Sequence, residues 1–361
     1  MSTLAVNSIS PATGSTVSIP AYVPSAQFSH RNKIINGKME IAQRGTGFGS
    51  VTSGYTLDRW QALEDSDAII TVSQQADLPT SSEFQYSLRL FVNGADSSIA
   101  TTQYSGLAQL IEGYNIRDLI GKTFTLSFWV RSSKTGIHCV SFRNLGGDRS
   151  YIAEYTISAA NTWEYKSVTV NGGLISTGTW NWTNDIGLRL FFMCAAGSAW
   201  QSTSNAWQTG NFLATANQVN CLDTASNIFA ITGVQLEAGA VATPFEHRPY
   251  GYELSLCQRY YFRINGSGTV VGSPSLSGTG ATYVNISPPT SMRSAGQTLD
   301  VSGNFIMQDN TTSVTPGSFT VQNTHPDSFQ FSVTHGTLAT NSVRRLYIND
   351  STSYFGVSSE L

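Results

Sequence analysis

Two carboxylates facing each other across a cleft can hydrolyse a glycoside. The densest acidic run of the chain is Glu64-Asp65-Ser66-Asp67. Neighbours on a turn or strand edge do not meet across a cleft, so this run reads as a solvated loop. A serine nucleophile needs a sharp strand-to-helix elbow, and Gly-x-Ser-x-Gly occurs nowhere; Gly266-Ser267-Gly268 has the wrong spacing. His30, His138, His247, His325 and His335 lack metal-ligand spacing, and His247, between Glu246 and Arg248, suits a structural hydrogen bond. Cys139, Cys194, Cys221 and Cys257 are too far apart for a zinc motif; Cys139 and Cys194 sit in apolar strand-like contexts and read as buried free thiols. No catalytic residue, metal ligand or cofactor is expected.

Binding chemistry is better supported. All seven tryptophans fall between Trp60 and Trp207, and four come late: Trp180, Trp182, Trp200 and Trp207. Residues 197–212 are polar, uncharged and carry two of them. Indole faces stack on the apolar side of pyranose rings, and amides bond hydroxyls. Trp180, Trp182, Trp200 and Trp207, with Asn205 and Gln208, are therefore the candidate glycan-binding residues. The alternative is that these indoles pack under their own loop or against a neighbouring subunit.

Charge is scarce. Only 12% of the 361 residues are charged, against about 25% in an average globular protein. The net charge of −3 and the scattered arginines offer no basic patch for nucleic acid. No apolar run approaches the roughly 20 residues a membrane-spanning helix needs, and the opening residues do not read as a signal peptide.

The positioning elements are strands. Apolar alternation marks about ten of them between Arg59 and Glu237. Asn36-Gly37, flanked by apolar residues, predicts a type I′ hairpin turn. With one brief helical turn at 114–120, this region predicts an antiparallel jelly-roll sandwich. A short amphipathic helix from Glu253 runs into a strand near Tyr260 and opens a smaller C-terminal β-sandwich. The expected division is 1–30, an uncharged anchoring segment; 31–250, the jelly roll; and 251–361, the C-terminal sandwich, in which Tyr347 and Tyr354 are candidate tip residues and the last strand is packed.

Two motifs carry a resemblance. Residues 234–239, 242–250, Glu253-Leu254 and 257–261 resemble the signature of bacteriophage tail-fibre and tail-associated proteins, and 32–45 with Asp58-Arg59-Trp60 is similar to the opening of the same class. The match covers residues 31–263. The order of 124–131, then Asn161-Thr162-Trp163, then the strand through Gly233 and Gln235 is similar to carbohydrate-binding-module jelly rolls. Such modules hold a structural calcium partly through an acid near the last strand, and Gly233 and Gln235 stand there, so calcium is not carried over. The resemblance implies a homotrimeric tail fibre of the virion, assembled in the host cytoplasm. Residues 1–30 would dock on a tail or baseplate protein, and the fibre would adhere to host surface polysaccharide or lipopolysaccharide without catalysis. The rival is a connector or decoration protein that binds only other phage proteins.

Overall fold

The computed structural model describes residues 30–80, 83–272, 280–309, 312–336, 338 and 344–361. The expected anchoring segment therefore lies outside the described residues except for His30. Two antiparallel sheets face each other in the larger unit. One runs, edge to edge, Gly47–Phe48, Ile69–Gln75, Ser87–Gly94, Ile228–Ala238, Phe124–Ser132 and Glu164–Val170. The other runs Trp207–Thr209, Arg149–Ile157, Gly136–Arg143, Ile186–Ala196, Tyr104–Glu112, Trp60–Glu64 and Ser53–Tyr55. Strand periodicity of two decides the layers. Phe124, Leu126, Phe128 and Val130 point into the core between the sheets, as do Leu188, Leu190 and Phe192 from the opposite side. The helical turn appears as two 3₁₀ turns, Gly113–Asn115 and Arg117–Leu119.

The helix Tyr250–Gln258 leads into the C-terminal unit. Three small antiparallel sheets surround a second core that includes Phe305, Phe329, Phe331, Leu346 and Phe355. Tyr354–Ser358 is the middle strand of its sheet, between Tyr261–Asn265 and Thr298–Ser302, so the last strand is packed as expected.

The Asn36-Gly37 hairpin does not form. Residues 31–46 contain no ladder, although Asn36 does adopt a positive φ of 59°. Its side chain closes the loop by itself: Nδ2 donates to the Ile41 and Asp58 carbonyls at 2.8 and 3.0 Å, and Oδ1 accepts the Ile41 N–H at 2.9 Å. Gly37 answers a long-range demand instead. Its carbonyl accepts the Val234 N–H at 3.0 Å, and any Cβ there would collide with the Val234 carbonyl oxygen. Contacts to a strand some two hundred residues away outweigh the local turn preference.

This segment is the centre of a polar joint. Asn32 bridges the last jelly-roll strand, donating to Val234 O at 3.1 Å and accepting from Leu236 N at 3.0 Å. Glu246 accepts the backbone N–H groups of Arg31 and Asn32, while Glu253 accepts that of Asn36. Arg248 lies between those two carboxylates and donates to the Asn32 and Ile34 carbonyls. On the other flank Arg259 forks onto the buried Glu112 at 3.0 and 2.6 Å, and the Tyr260 hydroxyl donates to the same carboxylate at 2.7 Å. Arg59, fully buried, pairs with Glu360 and lies 3.6 Å over the Tyr260 ring. A chain poor in charge has placed several of its arginines where two cores meet.

Two substitutions test this reading. Gly37→Ala should cost about 1–3 kcal/mol by overpacking, whereas Gly49→Ala, with open space around it, should leave the thermal midpoint unchanged. Glu112→Gln removes one partner of a buried pair and should cost about 3 kcal/mol in denaturant unfolding.

Candidate functional site

The four late tryptophans do not form one platform. Trp180 and Trp182 stack with centroids 5.2 Å apart, and Trp207 packs edge-on against Trp180 at 5.6 Å and beside Tyr151 at 5.6 Å. All three rest against the main core. Trp200 belongs to a separate cluster on the outer face of the seven-stranded sheet, edge-on to Tyr104 at 5.0 Å. The polar edges of three of the four are occupied. The indole N–H groups of Trp180, Trp200 and Trp207 donate to the carbonyls of Thr177, Thr102 and Gly173. Asn205 is exposed, with a positive φ of 64°, and the Gln208 amide donates to Thr203 at 2.8 Å. The 197–212 segment is a fastened flap, with a 3₁₀ turn at Ser198–Trp200 and an edge strand at Trp207–Thr209.

The outer face of the six-stranded sheet offers a freer aromatic surface. On Phe124–Ser132 the residues opposite the core set are Thr125, Ser127, Trp129 and Arg131, and register places Tyr165 directly across from Trp129. Their rings lie 5.5 Å apart at 58°. Trp129 stands between two clefts. One, of about 270 Å³, runs past Tyr165 to Phe84, Pro244 and Phe245. The other, of about 470 Å³, runs past Arg131 to Asp77, Asn161 and Trp163. Tyr165 is 46% exposed, and the Trp129 indole N–H donates to no described residue. Asp77 is held by Arg131 and receives the Trp163 indole N–H at 3.4 Å. At the far rim His247 meets Glu83 at 3.0 Å, both exposed, and not the Glu246 or Arg248 that flank it in sequence.

Period two along residues 124–131 could have found this surface, because it puts Trp129 on the face away from Phe128. Counting tryptophans by cluster missed it. A lone indole on a strand carries a site only when its cross-strand neighbour is known.

Other expected residues fall elsewhere. Tyr347 is half-buried in Arg345–Ile348. Tyr354 lies beside the joint: its hydroxyl donates to Asp300 at 3.1 Å and Arg263 covers its ring at 3.3 Å, while Arg263 also donates to the Gln43 and Arg44 carbonyls. In the acidic run, Asp65 and Asp67 are exposed, but Glu64 is not simply solvated. It accepts the Ser105 hydroxyl at 2.6 Å, and burial raises its pKa. All four cysteines are free and buried. At Gln235 the amide donates to oxygens of Glu237, Thr243 and Pro244. Among the described residues, no three His, Cys, Asp or Glu groups gather as a metal site, and no helix is long and apolar enough to cross a membrane.

Strand order and the shared core define this unit as a jelly-roll β-sandwich. No family model and no curated protein matches the chain. Among solved structures, the bacteriophage CBA120 tailspike protein 4 enzymatically active domain is similar over 58% of this chain and 21% of that one, at 15% identity and a TM-score of 0.32. TmCBM61, solved with beta-1,4-galactotriose, is similar over 58% of this chain and 99% of its own, at 13% identity and a TM-score of 0.29. The tandem CBM22 domain from Paenibacillus barcinonensis Xyn10C is similar over 87% and 98%, at 11% identity and a TM-score of 0.27.

The two aromatic groups should respond differently to truncation. Trp207→Ala loses a buried ring contact and a hydrogen bond, and should cost about 2–3 kcal/mol in denaturant unfolding, below the cost of a fully buried indole. Trp129→Ala, at an open cleft, should cost less than half of that.

Proposed function

We propose that this chain is a non-catalytic glycan-binding protein of the phage virion: a tail fibre that adheres to host surface polysaccharide or lipopolysaccharide. The observation that carries the binding reading is the Trp129–Tyr165 pair. It presents two ring faces, a free indole donor and a mostly uncharged polar surround at the junction of two clefts. Such a surface suits pyranose rings, which offer an apolar face and a belt of hydroxyls. The non-catalytic reading is supported by Asp77, whose carboxylate is already held by Arg131 and Trp163.

The virion reading rests on the two motifs that resemble tail-fibre proteins. Their residues are the ones that build the joint: Asn32, Asn36, Gly37 and Arg59 on one side, Glu246, Arg248, Glu253 and Tyr260 on the other. On this reading the chain is a homotrimer that docks on a tail or baseplate protein through residues 1–30, is assembled in the host cytoplasm, and works in the virion tail. Three weak sites per fibre then give avidity that no single site has.

The test is adsorption of the full chain to candidate host cells, with its oligomeric mass measured. The proposal expects a trimer whose adsorption is competed by purified surface glycan. Trp129→Ala with Tyr165→Ala should lower adsorption at least tenfold while the thermal midpoint stays near that of the wild type. If the full chain binds no host glycan and the double variant assembles into particles normally, the connector reading replaces this one.

A further inference from the structure

A second site lies on the opposite sheet. Arg143 and Arg189 are cross-strand partners in the seven-stranded sheet. Their neighbours Phe142 and Leu190 fill the main core, so both guanidinium groups stand on the outer face. Each is half-buried, and neither forms an ion pair or donates a hydrogen bond to a described residue. That is an unusual state for two adjacent cations, since a guanidinium carries five donors and like charges at short range repel.

The surroundings are built in a complementary sense. Arg143 lies over the Phe191 ring at 4.9 Å. On the next row of the same face the Ser141 hydroxyl is buried without a hydrogen-bond partner, and so is the Asn211 carboxamide oxygen. Arg143 Nη2 and Asn211 Oδ1 each stand 3.6 Å from where a side chain at Gly147 would begin, so they share one small space that a glycine leaves open. Buried polar atoms without protein partners are met by ordered water or by a ligand. Here the two half-buried cations are the groups that a ligand reaches, and the enclosed Ser141 and Asn211 oxygens lie behind them.

We propose that Arg143 and Arg189 bind the anionic group of an acidic sugar, a carboxylate or a phosphate ester, with the Asn211 side chain beside them. An arginine pair matches the paired oxygens of either group in a bidentate geometry that lysine cannot supply. Burial, and then the charge of Arg189, hold the Arg143 pKa down to about 10, with Tyr104 the group that counters them. Burial lowers that of Arg189 as well. Asp185 is the carboxylate that counters it at Arg189, and a bound anion would act in the same direction on both groups. The site concerns the face opposite Trp129 and stands whether or not the Trp129 cleft holds a glycan.

The experiment is calorimetric titration of the full chain with trigalacturonate, with its uncharged methyl ester and with glucose 6-phosphate. The expected result is binding of at least one acid at least tenfold tighter than the ester, weakening as salt is raised. The carboxylate and phosphate arms tell the two sources apart. Arg143→Gln and Arg189→Gln should each lose that binding at least tenfold, and without ligand each should melt no lower than the wild type, because each relieves a repulsion. Trp129→Ala should bind the acids unchanged, which separates this site from the adhesion cleft. Equal affinity for acid and ester, binding of neither acid, or full binding by both arginine variants would overturn the proposal.

Discussion

The fold depends on a buried carboxamide and a few buried ions at the place where two hydrophobic cores meet. Asn32 ties the segment that enters the jelly roll to the strand that leaves it, with one atom donating to Val234 and another accepting from Leu236. Arg248, Glu246 and Glu253 then lock that pair to the helix Tyr250–Gln258. Neither core could supply this alone. Apolar packing holds each unit together without fixing the angle between them, whereas directional hydrogen bonds to buried charges specify one geometry and penalise every other.

That constraint explains where six of the fifteen arginines are. In a chain with 12% charged residues, Arg31, Arg44, Arg59, Arg248, Arg259 and Arg263 all engage the joint, several through ring stacking on Tyr261, Tyr260 and Tyr354. Arg143 and Arg189 are conspicuous by contrast. They stand outside the joint, on a sheet face, in no ion pair with a described residue, although the Asp185 charge acts on Arg189.

The two faces of the jelly roll have different characters. On the seven-stranded sheet, the flap carrying Trp200 and Leu213 packs over Phe191, Met193 and Ile152, so its aromatics serve as cover. On the six-stranded sheet, no comparable flap among the described residues lies over Trp129 and Tyr165. The same residue type is structural in one place and available in the other. What separates them is whether the indole N–H has already found a backbone carbonyl.

Much of the fold was legible because strand alternation is a local signal. The stretch from Phe124 to Arg131 announces which side chains go inside, and the helix expected from Glu253 forms at Tyr250–Gln258, though Glu253 and Cys257 and not its leucines are its buried residues. Asn36-Gly37 shows where locality ends. By composition it is a hairpin turn, and the chain instead uses Gly37 to let Val234 approach and Asn36 to close a loop around Ile41. The sequence by itself determined the all-β class, the alternating cores and the importance of the two motifs, since each is encoded within a few consecutive residues. Only the tertiary structure decided that the motifs form one joint, that Trp129 meets Tyr165, and that Arg143 faces Arg189 across the sheet. Those facts depend on register between strands far apart in the chain, and register is set by the packing of the whole sandwich.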